Sequence, residues 1–291
     1  MKVAENTSIV AAADGEQIRV HKWQGEAPVR GVLQIAHGMG EHSLRYRPIA
    51  QALATAGFVV YANDHRGHGE LAAKAEKLGD FGPGGFPGLV ADMVKVTETA
   101  RAEHSGKPLA LLGHSMGSFA TQLYLLNHSG LLDGAALSGS AALDHLGAAA
   151  MAGKWRLEDL NASFQPERTP FDWLSRDNAQ VDLYMTDPLC GFIINDASFG
   201  SLFSLAPRLA DVGEIKKIRN DLPLFIFAGD KDPVNADLKW LQPLIDRYRE
   251  AGLSRVSWHI YGNARHEVLN ETNRDEVFAN IIAWLNVVLG R

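Results

Sequence analysis

The chain has 291 residues, 46% of them hydrophobic and 21% charged, with 28 Lys+Arg against 34 Asp+Glu for a formal net charge of −6. That is the balance of a globular protein able to bury one large core, and it excludes a disordered, collagen-like or low-complexity chain. With neither a basic excess nor basic runs, a nucleic-acid binder is excluded too.

The N-terminal stretch MKVAENTSIVAAADGEQ has no apolar h-region, so it does not read as a secretory signal. No run reaches the ~18 apolar residues of a membrane-spanning helix. The single cysteine, Cys190, excludes an intrachain disulfide and any site of several thiolates. A reducing, cytoplasmic setting is expected, with contact at a membrane surface left open.

Residues 9–12 and 18–23 flank Asp14-Gly15, a hairpin signal. Residues 32–36 form a short apolar run ending at His37-Gly38, and 48–56 read as a helix closed by Gly57 at the C′ position. Residues 58–62 are a buried strand, and a Gly-rich loop spans 79–88. In 86–104 the residues Phe86, Leu89, Val90, Met93 and Val94 share one helical face. Strand 109–113, helix 115–128 and strands 134–138, 224–229 and 256–260 follow. A final helix over 275–289 buries Val277, Phe278, Ile281, Leu285 and Val288.

An opening hairpin followed by βαβα repeats predicts an α/β fold, a mostly parallel sheet with helices on both faces. The repeat breaks between 141 and 221. That segment carries Phe199, Leu202, Phe203, Ala206 and Leu209 at helical spacing and is too apolar for a solvated linker. It reads as an inserted helical lid.

Gly113-His114-Ser115-Met116-Gly117 matches G-x-S-x-G between a strand and a helix, the setting of a nucleophile elbow. Small residues must flank so tight a turn, and the helix N-terminus behind it favours developing negative charge. A serine hydroxyl needs a base, and on such a fold the order is serine, acid, histidine. Strand 224–229 ends in Asp230-Lys231-Asp232-Pro233, where two carboxylates compete. Pro233 biases Asp232 to an extended backbone, a modest edge. His259 falls inside a strand, whereas His266 lies on the loop after it and can reach the elbow. The backbone N–H of Met116 and that of Met39, between Gly38 and Gly40, are the candidate oxyanion donors.

The stretches HGMGEHSLRY, NDHRGHG, GHSMG, GDKDP and NARHEVLNE, in this order, resemble the α/β-hydrolases of the monoacylglycerol lipase and lysophospholipase type over nearly the whole chain. The resemblance implies an α/β-hydrolase core at 1–140 and 221–291 with a helical cap at 141–220. It implies Ser115 as nucleophile, Asp232 as acid, His266 as base, Met39 and Met116 at the oxyanion hole, and Glu41 and Arg45 near the alcohol end of the substrate. Glu41, His42 and Arg45 read equally well as loop ion-pair and capping residues. Glu70 stands where the family often has Ser, and the cap matches only at 173–176 and 187–192.

Asp64, His65 and His68 fit no strong zinc spacing, no dinucleotide or phosphate-loop motif is present, and Cys190 has no evident base. No metal and no cofactor are expected. The reading is a serine hydrolase of medium- or long-chain carboxylic esters, monoacylglycerol or lysophospholipid foremost. The expected partner is a small lipid or ester, with transient membrane contact through the cap left open and no oligomeric state implied. An amide hydrolase or acyltransferase with the same triad is the alternative within enzymes. A non-catalytic ligand-binding homologue is the alternative outside them.

Overall fold

The computed structural model describes residues 2–290. Eight strands form one sheet: β1 (Val3–Ala11), β2 (Gln17–Gly25), β3 (Gly31–Ala36), β4 (Phe58–Asn63), β5 (Leu109–His114), β6 (Gly134–Ser138), β7 (Leu224–Gly229) and β8 (Val256–Tyr261). Their spatial order is β1-β2-β4-β3-β5-β6-β7-β8. The opening hairpin is antiparallel and joins β4 antiparallel; every pair from β4 to β8 is parallel. Strands β3 to β7 are buried throughout, as their unbroken apolar runs require. β8, at the edge, is mostly exposed.

The helices are α1 (Arg47–Thr55), α2 (Gly69–Lys74), α3 (Gly85–Glu103), α4 (Met116–His128), α5 (Leu143–Met151), α6 (Asn178–Thr186), α7 (Asp196–Phe203), α8 (Ala206–Ala210), α9 (Val212–Ile215), α10 (Leu241–Glu250) and α11 (Arg274–Leu289). They sandwich the sheet. Alternate strand residues face opposite ways: Ala110 and Leu112 of β5 pack with α1 and α11, while Leu109 and Leu111 pack with α3, α4 and α10.

β1 starts at Val3, six residues ahead of the expected 9–12, and three further elements differ from the sequence reading. Helix α10 is absent from it, although Leu241, Leu244, Ile245 and Tyr248 are buried at i, i+3, i+4 and i+7. Pro243 falls in its first turn, where proline is tolerated. Short α2 occupies what reads as a charged connection. The apolar stripe of 199–209 is two helices, α7 and α8, broken at Ser204-Leu205.

The elements between β6 and β7 are all helical. The loops after β3, β4, β5, β6, β7 and β8 converge at the carboxyl edge of the sheet, where parallel α/β folds collect side chains of different sequence origin.

Candidate active site

Ser115 links β5 to α4 at φ 53°, ψ −122°, a conformation that costs a non-glycine residue roughly 1–3 kcal/mol. Its surroundings hold it there. The Ser115 N–H donates to the Ser138 carbonyl at 2.9 Å. A Cβ on Gly113 would sit 2.3 Å from the Gly117 carbonyl oxygen, and one on Gly117 would sit 2.2 Å from that of Ala36. Only glycines let the turn close this tightly, so the serine stands clear at the head of α4.

Asp232 follows β7 and is fully buried. It caps the 3-10 turn Pro233–Asn235, accepting the Val234 N–H at 2.9 Å and the Asn235 side-chain amide at 3.2 Å. Its Oδ1 lies 2.9 Å from His266 Nδ1. Asp230, two residues nearer the strand, makes no hydrogen bond to the ring; its Oδ1 is buried without a partner among the described residues. His259 is exposed on β8.

The His266 ring is 2% exposed, with Trp173 at 5.1 Å and His114 at 4.8 Å between ring centres. The segment after β6 ties the histidine loop down: the His266 N–H donates to the Trp173 carbonyl and the Glu267 N–H to that of Leu174. Burial by itself lowers the basicity of His266, but the Asp232 carboxylate, with Glu267 and Glu41 behind it, raises it above the ordinary 6.5. His114 goes the other way. Burial and the neighbouring His266 push it down to about 4, so His266 is the more basic ring of the pair.

Met39 and Met116 both line the cavity above the serine. Met116 opens α4, so its N–H has no intrahelical acceptor. Around Met39 the neighbouring amides turn inward: Gly38 N–H donates to Glu41 Oε1 at 2.5 Å, and Gly40 N–H to His68 Nε2 at 3.3 Å. His37 is fixed in the same loop system, donating from Nδ1 to the Gly38 carbonyl and accepting the His65 N–H at Nε2. Asp64 accepts from the Ser43 N–H and hydroxyl. The residues Asp64, His65 and His68 therefore brace the loop and do not converge on one point.

Glu41 lines the cavity; Arg45 lies behind the wall. The Arg45 guanidinium donates to Glu41 at 2.6 Å and forms a two-pronged bond to Glu267 at 2.6 and 2.7 Å. Tyr46 adds a 2.8 Å bond to Glu41. Glu267 had no role in the sequence reading, though it directly follows His266. Burial would raise the Glu41 carboxyl; Arg45 overrides that and holds it down to about 2. Its folded value is thus depressed from 4.5, so this contribution to stability is present above 4.5 and is lost as the pH falls toward 2. Arg45→Met strands two buried carboxylates. We expect a loss of about 3–5 kcal/mol of stability, read as a lower urea midpoint; a loss below about 1 kcal/mol would contradict this picture of the loop.

The cavity measures about 380 Å³. Ser115, His266 and Glu41 line it, as do Glu158, Asn161 and Glu167 from the segment between β6 and β7; Phe119, Leu146, Phe199, Leu202, Phe203 and Val234 form apolar wall. Ala206 and Leu209 are buried in the core and are not part of that wall. The arrangement can present an alcohol to a carbonyl held in an apolar slot, with an imidazole and the Met116 amide at the head of α4 as neighbours.

A sheet of this topology, with the turn after β5 at its carboxyl edge, defines an α/β-hydrolase. The family model described as serine aminopeptidase, S33, matches residues 27–273. The chain belongs to that family, in its monoacylglycerol lipase-like branch. It is 30% identical to the monoacylglycerol lipase of Mycolicibacterium smegmatis over 94% of this chain and 95% of the relative. It is 28% identical to the monoglyceride lipase of Mus musculus over 94% and 88%. Among solved structures, a thermostable carboxyl esterase from Bacillus coagulans in complex with glycerol superimposes with a TM-score of 0.87 at 26% identity, covering 98% of this chain and 99% of that one.

Proposed function

We propose that this chain is a serine hydrolase that cleaves carboxylic esters of medium or long acyl chains, with monoacylglycerol as the leading substrate and lysophospholipid second. The observation that carries the proposal is the 2.9 Å bond from buried Asp232 to His266, which with Ser115 lines a mainly apolar cavity. The monoacylglycerol lipase and carboxyl esterase relatives support the ester reading.

In the proposed reaction the Ser115 oxygen attacks the ester carbonyl as His266 Nε2 takes the hydroxyl proton. Asp232 holds the ring through Nδ1 and stabilises the imidazolium. The N–H groups of Met39 and Met116 receive the oxyanion. The tetrahedral species collapses to an acyl-serine, and the alcohol leaves with the proton from His266. Water then gives its proton to His266 and attacks the acyl carbon; the acid departs and the serine recovers its proton.

Residues 141–220 are the proposed cap over this site, with 1–140 and 221–291 as the core. Met151, Leu183, Met185 and Ile193 are large exposed apolar side chains, and all four lie in the cap, which supports transient contact with a lipid surface. No helix among the described residues is long and apolar enough to cross a membrane.

The test is turnover on a panel of monoacylglycerols, lysophospholipids, short aryl esters and aminoacyl amides. The proposal expects kcat/KM to rise from acetyl to medium and long acyl esters and to be lowest for the amides. Preferred cleavage of the amides would overturn it.

A further inference from the structure

Outside the catalytic machinery, one cluster joins the two parts of the molecule at the surface. His42 comes from the loop after β3, while Asp187 and Cys190 come from a single turn that follows α6. His42 Nε2 is 2.8 Å from Asp187 Oδ2, and the imidazole, carboxylate and thiol ligand atoms all lie within 4.8 Å of one another. The histidine is buried; the other two are partly open, which leaves a route in from solvent.

The turn is built to hold two donors. Asp187 Oδ1 accepts the Leu189 N–H at 2.8 Å, and the Cys190 N–H donates to the Asp187 carbonyl at 3.0 Å. The next residue pins the turn to the opposite loop: Gly191 N–H donates to the Gly40 carbonyl at 2.9 Å. Such supporting bonds orient donor groups before any ion arrives. The local charge is also biased. Behind the turn Glu41 and Glu267 set two carboxylates against one cation, Arg45, while Asp187 pairs with His42.

We propose that His42, Asp187 and Cys190 form a binding site for a zinc-class transition-metal ion that clips the cap to the loop bearing Met39. One sulfur, one nitrogen and one carboxylate oxygen suit a borderline-soft divalent ion, and they disfavour magnesium and calcium. Donors around tetrahedral zinc stand about 3.3–3.6 Å apart. His42 Nε2 and Asp187 Oδ2, hydrogen-bonded to each other at 2.8 Å, must open by about half an ångström to take the ion between them, and the thiol, within 4.8 Å of both, closes by side-chain rotation. On binding, metal–sulfur, metal–nitrogen and metal–oxygen contacts form, the Cys190 S–H bond breaks, and its proton goes to solvent. His42 binds as the neutral ring: the Nε2 proton that it shares with Asp187 goes to solvent as Nδ1 takes one up, and the freed Nε2 and Oδ2 turn to the ion. A water fills the fourth position. None of the three side chains lines the cavity with Ser115 and His266, and occupancy is readable without any hydrolysis assay.

Because Cys190 is the chain's sole cysteine, titration with Co²⁺ gives an unambiguous readout: a thiolate-to-cobalt charge-transfer band can arise only there. The metal-free full chain is expected to take up stoichiometric Co²⁺ with this band and to lose the cobalt to added Zn²⁺. Cys190→Ser should abolish the band. Asp187→Asn and His42→Gln, checked for folding by thermal melting without metal, should weaken binding 10-fold or more. No band on the wild-type protein would overturn the proposal. So would a band of unchanged affinity in both Asp187→Asn and His42→Gln, since that describes a lone thiol.

Discussion

Ser115→Ala is expected to cut ester turnover by about 10³- to 10⁶-fold while leaving the urea midpoint close to wild type. The size follows from what the substitution removes and what it leaves. Ala keeps the Ser115–Ser138 backbone bond and the tight passage between Gly113 and Gly117, so the sheet and α4 stay in place. The amides of Met39 and Met116 remain, and so does the apolar slot. What goes is the oxygen proposed to form the acyl-serine, and with it the proposed two-step route. The residual rate is that of water attacking a bound, polarised ester. Near-normal turnover in the purified variant would end this mechanism.

Asp232→Asn is expected to lower kcat by roughly 10⁴-fold, and Asp230→Asn to leave it within a few-fold of wild type. Asp232 accepts from His266 Nδ1 at 2.9 Å, which fixes the proton on that nitrogen and leaves Nε2 bare for the proposed proton transfer. An amide at 232 can meet the ring with its NH₂ group, which favours the opposite tautomer. Asp230 does not touch the ring and has nothing comparable to lose. The pH profile gives a second, independent reading. Base catalysis needs neutral His266, and its basicity is raised above 6.5 with Asp232 the leading favourable contributor. Activity should therefore fall as the pH drops through a midpoint above 6.5, and that midpoint should move downward in Asp232→Asn. A profile flat to about pH 5 would rule out His266 as the base, and equal damage from both aspartate variants would remove the basis for choosing between them.

The architecture was legible wherever local pattern and tertiary setting agree. Each buried parallel strand is an apolar run closed by a turn residue, and α3 and α11 present their burial faces in sequence. Helix α10 shows the opposite case. Its apolar residues are spaced correctly, but Asp246, Arg247, Arg249 and Glu250 crowd the outer face and Pro243 masks the start. The 199–209 stripe is continuous in sequence and broken in space, because spacing alone does not register the turn at Ser204-Leu205. At the site, the turn at Ser115 is a local motif and could be read directly. Choosing between Asp230 and Asp232 needs the fold, since both leave the same strand end and only one faces the histidine loop. The Glu41–Arg45–Glu267 network needs it more, because its members are 222 positions apart along the chain between Arg45 and Glu267. Arg45 is drawn away from the cavity by two carboxylates, one of which no spacing rule ties to it.

One measurement reaches the central claim most directly: reaction of the native chain with a fluorophosphonate, followed by peptide mapping of the adduct. The account predicts stoichiometric modification at Ser115, with no comparable labelling of Ser118 or Ser140, whose hydroxyls are engaged with each other at 2.8 Å, and loss of labelling in His266→Ala. An unlabelled chain that still hydrolyses esters, or an adduct mapped to another residue, would contradict it.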